Sequence, residues 1–246
     1  MNFILLEEVD STNSYVSHHA SELEDMTMVI ADSQTAGRGQ RGNSWESERG
    51  KNLTMTLLHR PAGLHPREQF AISEAVAIAV TDYLADEGIE ASIKWPNDIY
   101  VGNKKIAGIL IEHSVTSSEI GHSRIGLGLN VNQTTFLSDA PNPVSMSAIT
   151  GKSYDVSRVA AALGSRLEQR LGEVSDSQSR SDLHVEFLAR LWRFDGKPYR
   201  FRRRADQTVF DGIILDVAHN GQILIKDTAT DRAEAFWFKE VEFLIE

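Results

Sequence analysis

The hydrophobic positions of this 246-residue chain change period four times. Residues 28–31 form an apolar run, and residues 53–57 (Leu-Thr-Met-Thr-Leu) alternate with period two. Both patterns predict β-strands, separated by a polar, glycine-rich loop over 35–51. That loop is too long for a tight turn, and loops of its length, above about 12–15 residues, are usually functional or disordered. From Pro66 to about Glu87 the apolar residues Phe70, Ala71, Ala75, Ile78, Ala79 and Leu84 recur every three or four positions. With Pro66 suited to a first turn and Gly88 to an end, this is a core-packed helix. Short strands are expected around 92–94, 99–101, 105–112 and 124–131, with a turn at Gly102-Asn103. Two more helices are expected at about 155–171, where Val156, Val159, Leu163 and Leu167 align, and at about 182–192.

Beyond Asp195 short strands follow one another at about 199–204, 209–217, 222–226, 235–238 and 241–245, with a hairpin signal at Asn220-Gly221. The expectation is an α+β fold: a mixed sheet flanked by helices over residues 1–194, then a small C-terminal β-barrel over 195–246. There is no internal repeat.

Four segments carry candidate chemistry. The first, residues 36–45 (AGRGQRGNSW), has three glycines that let backbone approach a ligand and two arginines suited to carboxylate or phosphate. Its spacing fits neither a Walker loop nor a dinucleotide fingerprint; a plain solvated loop would have the same composition. The second is Lys94-Trp95-Pro96-Asn97-Asp98 followed by Lys104-Lys105 and the apolar Ile106-Ala107-Gly108-Ile109-Leu110. Asn97 and Asp98 at a proline turn serve either local backbone hydrogen bonds or a ligand. Lys105 stands at the mouth of an apolar strand, where a cation either snorkels to solvent or meets an anion. The third, Asp10-Ser11-Thr12-Asn13, reads as a helix N-cap whose free donors can also receive a polar ligand. The fourth, residues 125–131, is a strand with glycines at 126 and 128, so something packs closely on its face.

Composition narrows the classes. A charge of −10 repels polyphosphate overall, so nucleic acid is not the default partner, and local basic clusters gain weight as anion sites. The run Tyr199-Arg200-Phe201-Arg202-Arg203-Arg204 keeps a nucleic-acid module as a competing reading, with much of the run on one solvated strand face. No apolar stretch nears the roughly 20 residues of a membrane span, and the opening apolar residues run straight into Glu7-Glu8, unlike a signal peptide. Cysteine is absent, which removes thiol chemistry and fits a cytoplasmic setting.

Together the segments at 10–13, 37–45, 94–98, 105–110 and 126–130, in that order and at those intervals, resemble the biotin–protein ligase family. The resemblance spans residues 8–131 and implies a class II synthetase-like core with an SH3-like C-terminal barrel. It also implies a reaction in which ATP and biotin give biotinyl-AMP and pyrophosphate, and a lysine of a biotin carboxyl carrier domain then takes the biotin. Magnesium accompanies the nucleotide, and no metal ligand is assigned. The implied catalytic residues are Lys105, bridging carboxylate and α-phosphate, and Arg38. Biotin falls to Ser11, Thr12, Asn13, Gln34, Gly37, Arg38, Lys105 and Gly108. The nucleotide falls to Gln40, Arg41, Gly42, Trp45, Asn97, Asp98, Lys105 and Asn130, with Trp45 packing on adenine.

The glycine-rich loop is expected to order over the adenylate and shield it from water. Lipoate ligases share the fold and the adenylate chemistry, and the Gly-Arg-Gly and Lys-Trp-Pro-Asn-Asp segments favour biotin. Some relatives carry an N-terminal winged helix; here the ligase pattern starts within ten residues, so DNA binding is not expected, and a homodimer is left open. Many relatives carry arginine where this chain has Gln40. One charge fewer predicts faster loss of the acyl-adenylate, and Gln40→Arg should slow it in a direct release assay; equal retention would refute the reading.

Overall fold

The computed structural model describes residues 1–39, 44–137 and 142–245. A seven-stranded mixed sheet dominates, in the order β1-β2-β3-β7-β6-β5-β4. Its strands are β1 (Asn2–Val9), β2 (Thr27–Gln34), β3 (Leu53–His59), β4 (Ser92–Lys94), β5 (Asp98–Val101), β6 (Lys104–Val115) and β7 (Ile120–Leu129). Only β1 and β2 run parallel; the other pairs are antiparallel. Two faces follow from the period-two geometry of β3. Met55 and Leu57 join the main core, whereas Thr54 and Thr56 face the short helix α1 (Thr12–His19).

The main core is covered by α2 (Phe70–Asp86), α4 (Val156–Gly172) and α5 (Ser177–Ala189). Helix α2 is buried along nearly its whole length because it is apolar on almost every side, including the fully enclosed Ile72, Val76, Ile78 and Leu84. His65 caps the 3-10 turn Pro66–Glu68 that leads into it, and Gly88, at φ +76°, ends it. Helix α4 shows the expected stripe, burying Val159, Leu163 and Leu167. Arg170 and Arg190 tie the helices together through Asp82 on α2 and Glu186 on α5.

A second, antiparallel sheet has the order β11-β10-β9-β8-β12, made of β8 (Tyr199–Arg203), β9 (Val209–Val217), β10 (Ile223–Asp227), β11 (Arg232–Phe236) and β12 (Val241–Phe243). It is consistent with the expected SH3-like barrel. Most of the basic run lies on β8, and three of its arginines meet acids of the same sheet: Arg202 and Arg204 reach Glu242, and Arg203 reaches Asp227 and Glu234.

Three elements differ most from expectation. β1 was not read as a strand, since it is a half-exposed edge with imperfect alternation. α5 starts at Ser177 rather than 182, because Asp176 accepts from the Ser179 amide and caps the helix early. The short helix α3 (Met146–Thr150) carried too few residues to show a period.

One polar cluster runs from inside this apolar packing to the surface. Glu74, 2% exposed on α2, accepts at 2.7 Å from His184 of α5, whose other nitrogen lies 3.9 Å from Asp216 of β9. The His219 ring stands 4.4 Å from that of His184. The hydrogen bond to Glu74 raises His184 above its ordinary 6.5, and burial raises Glu74 above its ordinary 4.5. A histidine raised in the folded state stabilises it below the unfolded value, and that contribution is lost as pH rises through the folded one. Glu74 acts in the same direction, since unfolding lets it ionise in water. Folding stability is therefore expected to fall as pH rises above the ordinary histidine value of 6.5. Denaturant titrations across that range should show the decline flattened in His184→Gln.

Candidate functional site

The site lies on the α1 face of the large sheet, where the chain has given up side-chain bulk. Gly128 on β7 is the registered partner of Gly108 on β6, and it also stands opposite Thr54 on β3; Gly126 stands opposite Thr56. These positions floor a cleft of about 60 Å3, open to solvent and lined among others by Ser11, Thr12, Gln34, Arg38, Asn97 and Lys105. Strand order gives the cleft a direction. Gln34 on β2 and the threonines of β3 form one end, the glycines of β7 and β6 the middle, and Lys105 of β6 with Asp98 of β5 the other. Neighbouring strands are about 4.8 Å apart, so β3 and β6 are separated by roughly 10 Å.

The first end is a hydrogen-bonding cluster. Gln34 Oε1 accepts from the Thr12 amide at 2.8 Å and its hydroxyl at 3.2 Å. Thr56 donates to Thr12 Oγ1 at 2.8 Å or to Asn13 Oδ1 at 3.1 Å. Ser11, the residue before α1, has no side-chain capping bond; Asp10 accepts from the Ser11 amide instead. Ser11, Thr12 and Asn13 are all buried, and the Asn13 amide packs where a Cβ on residue 126 would come, 3.1 Å away.

At the other end Lys105 Nζ lies 2.6 Å from Asp98 Oδ1, and Lys94 lies 4.0 Å from the same carboxylate. Burial pushes the Lys94 ammonium below its ordinary value and Lys105 adds to that, while Asp98 opposes it. Backbone pins Lys105 in place, its amide donating to Asn142 and its carbonyl accepting from Val144. Asn97 is locked to β6 from both sides, donating to the Ile109 carbonyl at 2.7 Å and accepting from the Ile109 amide at 2.9 Å.

Trp45 covers the middle. A Cβ on Gly128 would fall 2.2 to 2.6 Å from its indole atoms, and one on Gly108 would fall 3.1 Å from the ring. Lys105 Nζ is 5.7 Å from the ring centroid, and the indole N–H is buried without a partner among the described residues. The segment that carries Trp45 folds back on itself, with the Trp45 amide donating to the Gly37 carbonyl and Arg38 bridging Ser44. Gly37 is required there, since a Cβ would stand 2.6 Å from the Trp45 carbonyl oxygen.

The signature of the biotin/lipoate A/B protein ligase family matches residues 5–130, half of the chain and all of this cleft. The chain belongs to that family. It is 29% identical to the biotin--[acetyl-CoA-carboxylase] ligase of Paracoccus denitrificans, over 92% of this chain and 94% of that one. It is 42% identical to the bifunctional ligase/repressor BirA of Bacillus subtilis over 44% of this chain and 33% of the relative. The matches span about a third to a half of the length of the first curated relatives. The fold is that of the biotin protein ligase from Aquifex aeolicus, solved in complex with biotin and ATP: TM-score 0.80, 24% identity, covering 100% of this chain and 99% of that chain.

Within this family fold, nine of the residues read from sequence line one cleft: Ser11, Thr12, Asn13, Gln34, Arg38, Trp45, Asn97, Lys105 and Gly108. Gly37 and Asp98 stand behind it, acting on Trp45 and Lys105. Asn130 lies deeper, donating to the Val144 carbonyl while its own Oδ1 is buried without a partner among the described residues. Gln40, Arg41 and Gly42 fall outside the described residues. Sequence reading missed Thr54 and Thr56. Their signal was the alternation of threonine with Leu53, Met55 and Leu57, which reads as a solvated face on a strand that is in fact buried throughout.

Gly128→Ala is expected to evict Trp45 from the sheet. Tryptophan emission should shift to the red, and the shift should vanish when Gly128→Ala is made in a Trp45→Phe background; a shift that persists there would disprove the contact.

Proposed function

We propose that this chain is an ATP-dependent biotin–protein ligase, forming biotinyl-5'-AMP and pyrophosphate and passing the biotin to a lysine of a biotin carboxyl carrier domain. The observation that carries the reading is the polarity of the cleft. Hydroxyl and amide groups stand at one end, a side-chain-free floor in the middle, and the Lys105 cation at the other. This suits an elongated ligand with a polar ring, a flat apolar body and a terminal carboxylate. Ser11, Thr12 and Gln34 hydrogen-bond the ureido ring, and the ligand's body runs on over the floor to Gly108. A ligand lacking those groups leaves buried partners unpaired at about 1–3 kcal/mol each, which discriminates against lipoate.

In the first step a carboxylate oxygen attacks the α-phosphorus and pyrophosphate leaves. In the second the carrier amine attacks the acyl carbon, AMP leaves with the bonding pair, and the amine gives up its proton. Bringing carboxylate and triphosphate together requires cations at the point of approach. Lys105 exchanges Asp98 for the substrates' oxygens and so meets the developing charge already aligned, while Arg38 faces it from the opposite side of the cleft. Trp45 leaves the glycine floor and packs on the adenine. Asn97, Asp98 and Asn130 would hold the nucleotide or its magnesium; the carboxylate of Asp98 and the Oδ1 of Asn130, without a partner among the described residues, are hard oxygen donors of the kind that ion takes. Magnesium would offset phosphate charge and orient the leaving pyrophosphate. Among the described residues no helix is long and apolar enough to cross a membrane, and a cytoplasmic place with carboxylase carriers as partners fits the activity.

Incubation with biotin, Mg-ATP and a biotin carboxyl carrier domain should add one biotin mass to the carrier. Lys105→Ala should lower the rate by about 10²–10³-fold, as loss of a well-placed charged donor does. Lipoate should fail to compete with biotin for adenylate formation. Pyrophosphate release with lipoate and none with biotin would assign the chain to the other branch of the family.

A further inference from the structure

The turn that carries Asn97 and Asp98 is held from outside the large sheet. Trp95 is 2% exposed, and its indole N–H donates at 2.9 Å to the carbonyl of Gly221, in the turn between β9 and β10. The same ring packs on Phe238 and Phe243, with centroids 6.2 and 6.4 Å away. The neighbouring Lys94 ammonium stands 5.3 Å from the Phe243 ring centre. The C-terminal sheet thus grips two consecutive residues of the 94–98 segment.

The presenting turn is itself fixed. Gly221 has φ +90°, a conformation side chains with a Cβ rarely adopt. A Cβ there would lie 2.8 Å from the Phe70 ring at the start of α2. Squeezed between α2 and Trp95, the turn has little freedom in where it places its carbonyl. Two residues beyond Trp95, Asn97 exchanges its two hydrogen bonds with Ile109; three beyond, Asp98 holds Lys105.

We propose that Trp95 and Gly221 are positioning residues for adenylate formation, through which the C-terminal sheet sets where Asn97, Asp98 and hence Lys105 stand. The kinetic side of this rests on the ligase reading above; the structural side does not.

Trp95→Phe removes the N–H donor and keeps an aromatic ring in the pocket. Amide hydrogen exchange of the ligand-free protein at Ile109, whose N–H bonds to the Asn97 carbonyl, should then quicken by about two- to tenfold, the worth of one hydrogen bond. Exchange in β1 and β2 should not change. In biotin-dependent ATP–pyrophosphate exchange, kcat should drop by a similar factor while KM for biotin holds. Gly221→Ala forces the same turn away from Trp95, so the double variant should be no slower than the slower single one. Unchanged Ile109 exchange in Trp95→Phe would overturn the proposal, as would a lowered Tm with kcat intact, or additive losses in the double variant. Should the wild-type chain catalyse no pyrophosphate exchange, the ligase reading fails, and the Ile109 amide still decides whether the C-terminal sheet holds this turn.

Discussion

The registered row Thr54, Gly128, Gly108 across β3, β7 and β6 is the constraint on which the site depends. Antiparallel pairing puts all three on one face, and the two glycines take the side chains away just where the sheet would otherwise be thickest. A slip of one residue in any of these strands would turn Met55 or Leu127 toward the cleft and Thr54 or Gly128 toward the helices. That slip is resisted by the opposite face, where Met55, Leu57, Ile125 and Leu127 are packed into the core under α2 and α4. The site's geometry is therefore maintained by burial on the side of the sheet that takes no part in it.

Much of this was legible because chemistry and periodicity left separate marks. The apolar pattern of α2 and α4 is a packing signal, and both helices lie where it puts them. Gly126 and Gly128 marked a close approach without saying by what; the Asn13 amide and the Trp45 indole arrive from 113 and 83 residues upstream, beyond any local pattern. Lys105 was conspicuous as a cation entering an apolar strand, and Asp98 resolves that conflict by pairing with it. Thr54 and Thr56 were passed over because alternation is the mark of a half-exposed strand, whereas here their face is buried by α1 and Trp45. The edge strand β1 was passed over for the opposite reason, its apolar Phe3 and Leu5 being exposed.

The two sheets are joined through side chains whose partners are remote in sequence. Trp95 belongs to the motif-bearing half, yet its ring is surrounded by Phe238 and Phe243; Glu74 lies in the apolar helix α2, yet it anchors a cluster that reaches Asp216 and His219. Both contacts act on the β9–β10 hairpin from α2 and the 94–98 segment. Of the arginines of β8 that suggested a nucleic-acid surface, Arg202 and Arg203 are engaged by acids of their own sheet.

Trp45 resting on the glycine floor also bears on the thermodynamics of occupancy. The hydrophobic contribution scales with apolar area withdrawn from water. In the ligand-free chain much of the floor is already withdrawn, since the indole lies on it. A flat ligand taking that place exchanges one apolar contact for another, and net dehydration comes chiefly from the ligand's own surface. The heat-capacity change of binding is then smaller than the buried area implies, and selectivity falls to the hydroxyl and amide groups at one end and the ammonium at the other.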